Sequence, residues 1–147
     1  MRFLMIPTAI PGSPSHPEQP FDEAYFTAAM KFNEDLHRAG VLVASEGVLP
    51  GAVSAHVKTI QGKRTVVDGP FAETKELLAG FWLIEVGSRA EAIEWAVRSP
   101  INPAADEVIE LRQLTGASDI PPELVKLAEK AAPAWASSWT SQQKKTK

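Results

Sequence analysis

Three carboxylates and a lysine fall within nine residues of VVDGPFAETKE (66–76): Asp68, Glu73, Glu76 and Lys75. Aspartate before glycine is common in turns, because its side chain bonds nearby backbone and glycine tolerates positive φ. One use of Asp68 is therefore to hold the Gly69-Pro70 corner. The other use is chemical. Phe71 and Trp82 lie close in sequence, and a carboxylate at the mouth of an aromatic-lined cavity loses solvation. That loss raises its pKa towards the range where it serves as a general acid or base. Glu46, which ends the apolar run VLVAS (41–45) and precedes Gly47, is the second candidate. If Glu46 and Asp68 converge, like-charge repulsion would keep one protonated and divide the acid and base roles between them. The expected site is Asp68 with Glu46 as the catalytic pair, and Gly69, Pro70, Phe71, Lys75 and Trp82 as ligand contacts. The bland alternatives are an acidic turn for Asp68 and solvated charges for Glu46 and Lys75.

Other chemistries lack the residues they need. The chain has no cysteine, hence no disulfide, thiolate nucleophile or thiolate metal site. His16, His37 and His56 show no paired spacing, and zinc needs three or four converging ligands, so no metal is expected. There is no G-x-S-x-G, P-loop or G-x-G-x-x-G, so hydrolase and nucleotide-binding readings have no motif, and no cofactor is expected. A formal charge of −3 and a pI near 5.6 argue against a nucleic-acid partner, which requires a basic face. The longest apolar run, Leu77 to Ile84, is far short of the roughly 20 residues of a membrane helix. The run before Pro7 is too short for a signal peptide. No membrane association and a cytoplasmic location are expected.

The elements that must carry these groups follow from periodicity. At 147 residues and 44% apolar, one domain is expected. Phe3 to Ile6 reads as a strand, and TAIPGSPSHPEQP (8–20) as a loop. A helix runs from Phe21 to Gly40 with Phe21, Ala24, Tyr25, Ala28, Phe32, Leu36 and Ala39 inward. Val41 to Ala44 is a strand, SAHVKTI and RTVV form a hairpin about Gln61-Gly62-Lys63, and GFWLIEV (80–86) is a strand. Ser88 and Glu91 form a capping box opening a helix with Ala92, Ile93, Ala96 and Val97 inward, Trp95 beside that stripe, and its end before Pro100. DEVIELR (106–112) is the last core strand, and a short helix follows Pro121-Pro122. Two helices among antiparallel strands predict a ferredoxin-like α+β fold, the helices on one face of the sheet and an extra hairpin inserted. Residues 1–114 form that domain, and 115–147 a helical extension with a polar tail. The sheet face left bare by the helices predicts a homodimer.

With the elements in this order, DGPFAETKE (68–76) resembles the hallmark of the DGPF subgroup of the YCII-related family. AGVLVASEGVLP (39–50), AIEWAVRSP (92–100) and VIELRQL (108–114) resemble its other blocks. The resemblance implies a small bacterial protein with a dimeric ferredoxin-like α+β barrel fold. The wider family includes a dehydrochlorinase, and one subgroup is associated with a histidine on the first helix and an aspartate after the second. Here Ser99-Pro100 stands at the aspartate's place and His37 lies near the end of its helix, so that dyad is not carried over. Glu46-Gly47 and Asp68 to Glu76 do match. The leading expectation is a dimer that binds a small aromatic or carbonyl-bearing molecule, with cofactor-free proton transfer or elimination if it is an enzyme. A sensing module without turnover, and an interaction domain whose C-terminal helix docks a partner, are the rival readings.

Overall fold

The computed structural model describes residues 1–10, 23–48, 55–68, 80–100 and 106–137. In β1 (Arg2–Ala9) buried Phe3, Met5 and Pro7 alternate with half-buried Leu4, Ile6 and Thr8, as in a strand with one face on a core. The chain continues through α1 (Glu23–Arg38), β2 (Leu42–Gly47), the hairpin β3 (Ala55–Ile60) and β4 (Lys63–Asp68), then β5 (Gly80–Glu85), α2 (Arg89–Val97) and β6 (Glu107–Gln113). A 3₁₀ turn at Ala117–Asp119 leads to α3 (Pro122–Ala131), with a further helical stretch over 133–137. Four strands form one sheet in the order β2-β5-β1-β6, every neighbouring pair antiparallel, while β3 and β4 form a separate two-stranded sheet. β1 and β2 are each antiparallel to β5, which lies between them. This is the split βαβ arrangement, and the mixed α+β structure is compatible with a ferredoxin-like fold.

Directly paired residues of antiparallel strands share a face. Phe3 pairs with Ile84 and Met5 with Trp82, and these four side chains meet Phe32 and Leu36 of α1 and Ala92 and Trp95 of α2 in one core. Both helices therefore cover the same face. The opposite face carries Leu4, Ile6, Ala44, Phe81 and Leu83, all half-buried, with Arg2, Glu85, Glu110 and Arg112 around them.

Several expected boundaries and stripes shift. β1 runs past Ile6, so Thr8 and Ala9 are strand rather than loop, pairing with Val108 and Glu107. Pro7 is tolerated because β5 pairs with β1 only as far as Met5, and a proline lacks its N–H harmlessly where no ladder bond is due. On α1 the expected Ala24, Ala28 and Ala39 are exposed, and the inward positions are Tyr25, Ala29, Phe32, Asn33 and Leu36. On α2 Val97 is 80% exposed and Ile93 also faces out, whereas Trp95 is 8% exposed. A helix buries its largest apolar surface first, and an indole exceeds two β-branched side chains that can remain wet. The hairpin turn is only Gln61-Gly62, both at positive φ (49° and 77°), the two-residue geometry whose twist suits flanking strands. Ser88 caps α2 by accepting from Glu91 N at 3.1 Å, and the Glu91 carboxylate reaches back one residue further than a capping box requires, accepting from Gly87 N at 2.8 Å.

Candidate functional site

Glu46 takes its direction from a bulge. Leu42 pairs with Ile84, but Ala44 pairs with Leu83, so Val43 is the extra residue on β2. One extra residue reverses which face each later side chain occupies. Without it Glu46 would face the helices. With it Ser45 turns inward opposite Trp82, and Glu46 turns out to the open face opposite Phe81. Gly47 then pairs with Gly80, the first residue of β5. A Cβ on Gly80 would sit 2.7 Å from the Glu46 carbonyl oxygen, so the two backbones meet here more closely than any side chain allows. Gly80→Ala is accordingly expected to lose about 1–3 kcal/mol of stability by forcing the end of β2 away. Chemical denaturation checks this, and an unchanged midpoint would mean the corner relaxes freely.

On the helix side of the same two strands a polar cluster lies against the aromatic core. Asn33 Oδ1 accepts from the Trp82 indole Nε1 at 2.6 Å and from Ser45 Oγ at 3.1 Å, tying α1 to β2 and β5. Phe32 stands edge-on to Trp82, centroids 5.4 Å apart at 89°, and contacts Trp95 at 6.2 Å. The Arg98 guanidinium lies 4.0 Å from the Trp95 ring centre, and its Nη2 is 3.8 Å from Asp35 Oδ2. Trp82 thus spends its ring on Phe32 and its N–H on Asn33. It occupies the face opposite Glu46, so a molecule reaching Glu46 from the open face meets Phe81 instead.

Asp68 closes β4, its backbone paired with Ala55. Its side chain, with Gly69, Pro70, Phe71 and Lys75, lies outside the described residues. The segment that begins at Asp68 nonetheless rejoins the sheet at Gly80, one residue along β2 from Glu46. His37 is exposed in the last turn of α1. Tyr25, half-buried on α1, has its phenol pKa pushed up, first by burial and then by the negative charge of Glu107. A shallow open groove runs along the outer side of α1 over Glu23, Ala24, Thr27, Ala28 and Lys31. No group of three or more potential metal ligands converges among the described residues, and none of their helices is long and apolar enough to cross a membrane.

Two residues beside the site escaped the sequence reading. Asn33 lies at helical spacing from Ala29 and Phe32, but a polar side chain does not register in an apolar stripe. Phe81 was hidden because its place beside Glu46 depends on the register of β2 against β5.

The chain is 43% identical over 58 residues to an uncharacterized protein of Rhizobium meliloti (strain 1021), a match covering 40% of this chain. It spans about half, 47%, of the length of that curated relative. The family model of the YCII-related domain matches residues 1–116, the span from β1 through β6, and the chain belongs to the YCII-related family.

Proposed function

We propose that this protein, a member of the DGPF-motif subgroup of its family, binds a small aromatic or carbonyl-bearing molecule at the corner where β2 ends and β5 begins. Asp68 is its main polar group and Glu46 the partner carboxylate, with Gly69, Pro70, Phe71 and Lys75 shaping the pocket and Phe81 added to its wall. The observation that carries this reading is the pairing of Gly47 with Gly80, which returns the segment begun at Asp68 to within one residue of Glu46. Two carboxylates beside one apolar wall can exchange a proton with a molecule bound between them. Cofactor-free proton transfer or elimination is the reaction class such a pair supports. The protein acts as a cytoplasmic homodimer whose open sheet faces pack together, since half-buried Leu4, Ile6, Ala44, Phe81 and Leu83 occupy the face opposite the one that α1 and α2 cover.

Nuclear magnetic resonance of the ¹⁵N-labelled chain tests the location. Titration with a panel of small aromatic aldehydes, ketones and carboxylates is expected to shift the amides of Glu46, Gly47, Gly80 and Phe81 together. Shifts confined to α3 or to the outer groove of α1 would move the binding site elsewhere.

A further inference from the structure

The β3–β4 ribbon is surplus to the core. All its residues from Ala55 to Val67 are exposed, Val57 at 62%, Ile60 at 63% and Val66 at 64%. No third strand pairs with it among the described residues. An isolated two-stranded hairpin is marginally stable in water, and exposed β-branched edges invite pairing or aggregation. Val57 and Val66 are direct cross-strand partners, so one face of the ribbon presents a contiguous apolar pair. Both connections to the ribbon leave from one corner of the sheet, the end of edge strand β2 and the start of β5. It projects as an arm.

The charge of the chain is divided between arm and body. Residues 55–68 hold Lys58, Lys63 and Arg64 against Asp68 alone, a formal +2. The remaining 12 bases and 17 acids give the body −5. A second arm is therefore a poor partner for the first, like charge facing like charge. The body of a second copy is a good one, because an acidic surface attracts the lysines and arginine while the valines leave water.

We infer that the β3–β4 hairpin is an intersubunit arm that seats on the body of a second copy of this chain, reciprocally across a two-fold axis. This rests on the homodimer proposed above and adds to it a contact that sheet packing does not require. The arrangement also has a functional consequence. Asp68 is the last residue of the arm, so the partner that holds the arm also steadies the start of the acidic segment.

Cross-linking of mixed chains is the test. Full-length ordinary and ¹⁵N-labelled protein are mixed, equilibrated and treated with a carbodiimide, which joins lysine amines to nearby carboxylates. Peptides containing Lys58 or Lys63 are expected joined to body peptides of the other isotope. In parallel, Val57→Ser with Val66→Ser, both at exposed positions, is expected to weaken dimerisation about tenfold or more by sedimentation, the scale of a good apolar interface anchor, with unchanged circular dichroism. Links within one isotope only would seat the arm on its own chain and overturn the inference. So would a serine variant that dimerises as well as the parent, and in either case the dimer itself would stand. A parent protein that is monomeric by light scattering across micromolar concentrations would instead remove both the dimer and the arm contact.

Discussion

Trp82→Ala is expected to cost about 3–5 kcal/mol, the range for emptying a large aromatic site in a packed core. The ring is 7% exposed, sits edge-on to Phe32 across from Met5, and donates its indole N–H to Asn33. Removing it opens a cavity between α1 and the sheet, and Asn33 Oδ1 keeps only the Ser45 hydroxyl. Against a total stability of about 5–15 kcal/mol for an ordinary domain, such a loss leaves the fold marginal. Trp82→Phe separates the two contributions. It keeps much of the aromatic packing and gives up the N–H, so its extra cost from the lost bond should be about 1 kcal/mol. Urea unfolding followed by circular dichroism measures both. A loss below about 1 kcal/mol for the alanine variant would mean Trp82 is a wall of a ligand cavity rather than a strut of the core.

What the sequence disclosed and what it concealed follow one physical division. Ser88 and Glu91 identified the start of α2 because a cap is a local hydrogen-bond problem solved by local residues. The apolar run Phe3 to Ile6 identified β1 in the same way, since a short stretch of adjacent apolar residues stopped by a proline reads locally as a buried strand. The inward face of α2 was not local. Whether Trp95 or Val97 turns in depends on Phe32 across the layer, which the helix's own spacing does not contain. The bulge at Val43 was hidden for a related reason. It is a mismatch of one residue between β2 and β5, and nothing in VLVAS announces it, yet it sends Glu46 to the open face and Ser45 to Asn33. The acidic motif stood out through its residue types. The company Glu46 keeps there, Phe81 and not Trp82, required the register.

Asp68→Asn is expected to give the largest functional effect. The change keeps the side chain's size and much of its capacity to accept a hydrogen bond, while removing the charge and the ability to take up a proton. A residue that only holds the Gly69-Pro70 corner would lose no more than about 1 kcal/mol of stability and leave binding intact. A general base would leave stability level and lower turnover by roughly 10²–10⁴-fold. A carboxylate that binds without reacting would lose affinity, and the pH dependence of binding between about pH 4 and 7 would flatten, since the titrating group is gone. Glu46→Gln, at an exposed strand position, should act in the same direction with little effect on folding.

Whether Asp68 meets a small molecule is decided by a thermal-shift screen of parent and Asp68→Asn proteins side by side. A metabolite library weighted towards aromatic and carbonyl-bearing compounds should contain ligands that stabilise the parent, by about 2.7 kcal/mol at 100 times their Kd. Equal unliganded melting temperatures are expected for the two proteins, with loss of that ligand-induced rise in Asp68→Asn. A variant that melts lower on its own yet shows the full rise with the same ligands would rule out ligand contact by Asp68 and make it the anchor of a turn.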